Sequence, residues 1–263
     1  MNQQNILFSC EKQTTHITEQ VVSEHVITFV VSGKVEFQFN SETLSLFPDD
    51  IILIRKNQPV KATKFPENQY EACRTVNIFL TQEIIRNYAT HNDVPQQPMY
   101  KGKPFISLGN DRFLKAYFAS LTPYIEHTER FTAKLLELKT TEIIELLLAN
   151  RLEMQSFLFD FSEPYKIDLE KFMSNNYMFN LPLSEFSRLT GRSLSTFKRD
   201  FKKIYADTPE NWLRNRRLDE AQYLLTQKHK RPTDIYYSLG FESFSHFSAA
   251  YKQKFGTTPR EGR

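Results

Sequence analysis

Shifted by fifty positions, the last third of this chain matches itself. Phe197, Phe201, Lys202, Tyr205, Ala206, Thr208 and Pro209 fall on Phe247, Tyr251, Lys252, Phe255, Gly256, Thr258 and Pro259. Ser193, Ser195 and Leu189 fall on Ser243, Ser245 and Leu239. Aromatic residues recurring in phase at one offset mark a duplicated structural unit. Two copies are too few for a solenoid, so two similar supersecondary units are expected.

Each copy reads as helix, tight turn, helix. In the first, Leu183, Phe186 and Leu189 space a short helix opened near Pro182, and Thr190-Gly191-Arg192 turns the chain. Ser193 is placed to cap a second helix running to about Ile204. Leu194, Phe197 and Phe201 recur at helical spacing and share its inner face, leaving Ser195, Lys198, Arg199, Lys202 and Lys203 outside. In the second copy, Pro232–Leu239 is the short helix and Gly240-Phe241 the turn. Phe244, Phe247 and Tyr251 point in; Ser245, His246, Ser248, Ala249 and Lys252 point out. Between the copies Thr208 caps, and Pro209 opens, a long helix carrying Trp212, Leu213, Leu218, Ala221, Leu224 and Leu225, with Arg214, Arg216 and Arg217 riding on it.

Charge follows the same division. Residues 175–263 hold 16 Lys and Arg against 9 Asp and Glu, a balance of +7, whereas residues 1–174 hold 18 against 22, a balance of −4. A basic third joined to a slightly acidic remainder points to a polyanion at one end, unless the cations merely solvate helix faces. The arrangement decides. The major groove admits one helix, short polar or forked side chains on its outer face reach base edges, and flanking cations neutralise phosphates. Two such units on a rigid connecting helix would place two reading helices about 34 Å apart, one turn of DNA. Ser195, Lys198, Arg199, Ser245 and His246 are the candidate base contacts. Ser193, Lys202, Arg217, Ser243 and Lys252 are the candidate phosphate contacts. For Lys198 and Arg199 the plain alternative is a solvated face paired with Asp200 or Asp207. Phe197, Trp212, Phe241 and Phe247 are expected in the core.

Residues from about 170 to 263 resemble the paired helix-turn-helix domain of the AraC/XylS family of bacterial transcription regulators. The resemblance is carried by Leu183-Ser-Glu-Phe-Ser187, Ser193-Leu-Ser-Thr-Phe-Lys-Arg-Asp-Phe-Lys-Lys203, Pro209-Glu-Asn-Trp-Leu213, Arg217-Leu-Asp-Glu-Ala221 and, most specifically, Leu239-Gly-Phe-Glu-Ser-Phe-Ser-His-Phe247 leading to Phe255-Gly-Thr-Thr-Pro259. It implies promoter DNA as partner and a cupin-like effector and dimerisation domain in front. The chain departs from the family pattern in four places. Ala206 stands where a Gly is usual, Ser187 and Tyr236 stand where a small Ala is usual, and Ala249 stands where an Arg is common. The second unit is therefore expected to be splayed or repacked around Tyr236, and the first to supply more sequence discrimination.

The first ~80 residues read as short strands. Val26–Val31 is a β-branched run, Val35–Phe39 alternates with period two, Asn40-Ser41 turns the chain, and Leu44 and Leu46 continue the alternation. Phe47–Asp50 is a turn, Ile51–Ile54 a strand, Asn57–Pro59 a break, and Val76–Leu80 a further strand. A Pro-rich stretch follows, with Pro95, Pro98 and Pro104. From Asn110 the period is helical, and Phe113, Leu114, Tyr117, Phe118 and Leu121 share a face. A second helix is expected from about Thr132 to Gln155, with an apolar face that packs into its own domain or pairs with a second copy. Phe157–Tyr165, with Pro164, reads as a linker. The whole is an α+β chain: a cupin-like β-sandwich or barrel over 1–95, a helical dimerisation or packing region over 96–156, a linker over 157–169, and a tandem helix-turn-helix domain over 170–263.

Other classes find little support. The longest apolar run, Ile143–Ala149, is interrupted by Glu145 and far short of the ~20 residues of a membrane span. Met1-Asn-Gln-Gln-Asn has no basic segment leading an apolar one, so no secretory signal is expected. Cys10 and Cys73 form no zinc-type or disulfide pattern and read as reduced thiols in a cytoplasm. His16, His25 and His91 lack the close spacing of a metal cupin, so no metal, cofactor or catalytic group is expected. Two rivals stay open: a metal-cupin enzyme in the N-terminal domain, and a DNA-bound adaptor whose N-terminal domain answers to a protein partner. On the main reading the effector event shifts the basic domain through the linker at about 155–170.

Overall fold

Chain segments that alternate or run apolar in the first half become strands, and the periodic second half becomes helices. The computed structural model describes residues 5–39, 42–68, 70–109, 111–125, 127–150, 153–161 and 166–261. The expected turn at Asn40-Ser41, the helix start at Asn110 and the linker residues 162–165 lie outside these. The chain divides into two compact units, Met1–Ser162 and Glu163–Arg263.

The first unit is built from β1 (Ile6–Glu11), β2 (Thr15–Val22), β3 (His25–Ser32), β4 (Lys34–Phe39), β5 (Glu42–Leu46), β6 (Ile51–Ile54), β7 (Gln58–Phe65), β8 (Cys73–Leu80), α1 (Gln82–His91), β9 (Phe105–Ser107), α2 (Arg112–Leu121), α3 (Ala133–Asn150) and α4 (Glu153–Leu158). The strands form two antiparallel sheets, ordered β1-β8-β3-β6-β9 and β2-β7-β4-β5. On β4 Val35, Phe37 and Phe39 turn inward and Lys34, Glu36 and Gln38 outward, as period two requires. The run Ile51–Ile54 is buried on both sides: Ile51 and Leu53 join the core shared with the helices, Ile52 and Ile54 the core between the sheets. Phe29 stacks on Phe118 of α2 at 4.8 Å, and Ile143, Ile144 and Leu147 bring α3 into the same core.

Two sequence expectations need correcting here, the break before β7 and the start of the linker. The break falls at Arg55–Asn57 and does not extend to Pro59, because β7 starts at Gln58. Asn57 turns the chain at φ +58°, and Pro59 lies outside the ladder with β4, which begins at Lys61, so its missing N–H costs no pairing there. The helix expected over 132–155 is present as α3 and α4, with residues 151 and 152 between them outside the described residues, and α1 and the edge strand β9 add to the expected elements. Phe157, Leu158 and Phe159 are fully buried, so the linker does not begin at 157. Asp160 is buried too, accepting the Tyr100 N–H at 3.0 Å and pairing with Arg55. His25, with no metal-ligand spacing in the sequence, is a core histidine: its Nδ1 accepts the Lys56 N–H, and burial beside the Lys56 and Arg55 charges pushes its pKa down to about 3.

The second unit comprises α5 (Leu169–Asn176), α6 (Leu183–Leu189), α7 (Leu194–Tyr205), α8 (Pro209–Thr226), α9 (Pro232–Ile235) and α10 (Phe244–Phe255). Phe186, Phe197, Phe201 and Phe247 are fully buried, and both helix pairs pack on α8. Leu194 breaks the expectation for the inner face. It sits one residue past the cap, in a turn that has not reached the core, and is 42% exposed. Trp212 is half-buried, its ring 4.7 Å from Tyr205.

Candidate nucleic-acid interface

The two reading helices begin and end alike. The Ser193 hydroxyl accepts the Thr196 N–H at 3.3 Å, and the Ser243 hydroxyl accepts the His246 N–H at 3.2 Å, so each satisfies a first-turn donor. Each helix ends in a left-handed residue, Ala206 at φ +54° and Gly256 at φ +78°, whose N–H returns to the carbonyl of Lys202 or Lys252. The scaffold helices differ. In the first unit Ser187 is buried and its hydroxyl donates to the Ser184 carbonyl. In the second, the α-helix stops at Ile235, and Tyr236 lies half-buried with its ring edge-on to Phe244 at 5.8 Å.

Opposite the buried phenylalanines, Ser195, Lys198, Arg199 and Lys202 are exposed along one face of α7. Lys198 Nζ lies 3.2 Å from Glu210, and Arg199 Nε lies 3.7 Å from Asp200 with the arginine side chain 65% exposed. Such exposed pairs hold little energy and exchange readily for a stronger anion. Asp200 itself is anchored: hydrogen bonds from Lys166 and Arg192 hold its carboxyl below the usual range. On α10 the corresponding face shows Ser245, His246, Ala249 and Lys252, all exposed, with the His246 ring edge-on to Phe241 at 5.9 Å. Three cations and one hydroxyl thus stand on the first face, while the second carries one lysine, one hydroxyl and one imidazole.

Arg217 was expected among the phosphate contacts and is not placed for that role. It is 8% exposed, and its guanidinium donates to three backbone carbonyls: Nε to Tyr177 at 2.7 Å, Nη2 to Phe179 at 2.8 Å and Nη1 to Gly240 at 3.1 Å. A signal for this stood in the sequence. Leu213, Arg217, Ala221 and Leu225 recur every four residues along one buried stripe of α8. Arg192, read only as a turn residue, is likewise internal, donating to the Ile167 and Thr190 carbonyls and to Asp200. Arg214, not among the candidate contacts, is exposed on α8 and lines, with Glu210, Glu242 and His246, a groove of about 630 Å³ between the two helix-turn-helix units.

Residues 25–159 match the family described as the ExsA N-terminal regulatory domain, and residues 186–263 match a helix-turn-helix domain. The thermoregulatory protein LcrF of Yersinia pestis is 32% identical over 252 residues, which span 92% of this chain and 89% of that protein. The chain belongs to the AraC/XylS family. Among other relatives, the virulence regulon transcriptional activator VirF of Yersinia enterocolitica is 27% identical over 92% of this chain and 89% of its own length. The HTH-type transcriptional regulator ExsA of Pseudomonas aeruginosa is 24% identical over 97% and 91%. As an AraC/XylS member the protein is a DNA-binding transcription regulator with an α+β architecture. Among the described residues no group of three or more His, Cys, Asp or Glu is placed to hold a metal ion. No helix among them is long and apolar enough to cross a membrane.

Proposed function

We propose that this AraC/XylS regulator reads promoter DNA with α7 and α10 and acts in the cytoplasm as a homodimer without catalytic activity. Ser195, Lys198, Arg199, Ser245 and His246 contact base edges; Ser193, Lys202, Ser243 and Lys252 contact phosphates. The observation that carries this reading is the pair of capped helices whose polar faces are exposed at equivalent positions of a duplicated unit. An effector or protein partner acts on the first unit. A cavity of about 240 Å³ lined by Val26, Thr28, Val35, Phe37 and Lys64 favours a small, largely apolar effector. By kinship with VirF, whose name is that of an activator, activation is the expected output. Binding of the full chain to a promoter fragment should fall by orders of magnitude between about 50 and 200 mM salt. Binding that is absent, or indifferent to salt, sinks the proposal.

A further inference from the structure

Two helix-turn-helix units read one duplex only if the angle and distance between their reading helices match the groove repeat. The 18 residues of α8, about 27 Å of helix, set the distance. The angle needs a separate device, because a groove of about 630 Å³ opens between the units. Arg217 stands at the floor of that groove and bonds both sides of it. Its Nε and Nη2 take the Tyr177 and Phe179 carbonyls of the segment leading into the first unit, and its Nη1 takes the Gly240 carbonyl in the turn of the second.

The seam around it is built to the same tolerance. Gly240 has φ +81°, and a Cβ there would stand 2.7 Å from the Met178 carbonyl and 3.0 Å from Arg217 Cζ. The turn of the second unit therefore rests directly on the 177–179 segment and on the guanidinium. At the rim Asn180 Nδ2 donates to Glu242 at 3.0 Å, a further bond from the first side to the second. A planar fork of donors fixed on three carbonyls holds direction as well as distance, which a lysine head cannot do.

We propose that Arg217 is a positioning residue: it clamps the two units at one mutual angle and so fixes the spacing between the two half-boxes the protein accepts in DNA. It touches no base and no phosphate. Its effect on DNA is exerted through the turn at Gly240, which carries α10, and the segment 177–179, which precedes α6.

The test selects binding sites for the full chain from a pool of random-sequence duplex DNA, in parallel for the native protein and Arg217→Lys, with far-ultraviolet circular dichroism and thermal melting to establish folding. The native protein should enrich two half-boxes at one spacing, about one helical turn. The folded Arg217→Lys variant should enrich the first-unit box with a broadened distribution of second boxes, and lose at least about tenfold in affinity for the native-spaced site while keeping its affinity for a single box. A folded variant that keeps the native spacing preference overturns the proposal. So does a uniform loss on all DNA with a shallower salt dependence, which is the signature of a phosphate contact. If Arg217→Lys fails to fold, Arg217→Gln decides. Its amide cannot serve carbonyls on both sides of the groove as the guanidinium does, and a broadened spacing supports the clamp whereas an unaltered one overturns it.

Discussion

The two helix-turn-helix units solve the same backbone problem and present different surfaces. Both reading helices are capped by serine, anchored by buried aromatics and closed by a left-handed residue. At equivalent positions, however, Lys198 and Arg199 on α7 face Ser248 and Ala249 on α10. Of the two lysines in the last turn of α10, Lys254 is engaged with Asp219 at 2.6 Å and with the Asn215 carbonyl. The scaffolds diverge as well, a full short helix over Ser187 against one turn ending at Tyr236. Duplication thus conserves what local backbone energetics demand and leaves the outer face to vary. The first face carries Lys198, Arg199 and Lys202, and the second carries Lys252 with Ser245, His246 and Ala249.

The comparison can be broken first at its shared part. Phe197→Ala and Phe247→Ala each empty a fully buried site, and each should cost about 3–5 kcal/mol in urea unfolding. A cost much smaller in one unit would show that the two cores are not equivalent. Surface divergence comes next. Arg199→Ala should lower discrimination for its base by about 1–3 kcal/mol in competition binding, whereas His246→Ala should cost less, and Ala249→Arg should create a new guanine preference in the second half-box. At the helix ends a reciprocal exchange sharpens the picture. Ala206→Gly relieves a left-handed alanine and should raise stability by about 0.5–1 kcal/mol. Gly256→Ala, where a Cβ would meet nothing within 4 Å, should cost about 1 kcal/mol from backbone strain alone. Thermal melts of the two variants should shift in opposite directions. The smallest effects belong to Lys202→Ala and Lys252→Ala, each expected to weaken all DNA alike and reduce the salt slope by about 1.

Legibility in the sequence tracks how local the cause is. The caps at Ser193 and Thr208 were readable because a hydroxyl three residues before an amide needs no distant partner. The alternation of β4 was readable for the same reason. Pro59 misled, because a proline excludes pairing on one side only and β4 does not reach that far. Pro164 makes Phe157–Phe159 read as linker, although three consecutive apolar residues are themselves the sign of burial. For the interface, the exposed faces of α7 and α10 follow from helical period. Arg217 did not follow, because a cationic side chain beside Arg216 looks like surface until its stripe is counted.

What the residues alone determined is the duplicated helix-turn-helix plan, its caps and turns, and the outward placement of Ser195, Lys198, Arg199, Ser245 and His246. Each of these rests on spacings within one helix or one turn. What tertiary structure decided is which polar groups are drawn inside. Arg217 is consumed by carbonyls from Tyr177, Phe179 and Gly240, and Asp160 by Tyr100 and Arg55, while His25 is held neutral beneath Lys56. The reason is that burying such a group is favourable only when its partners arrive together from distant segments, and their arrival is a property of the packed chain.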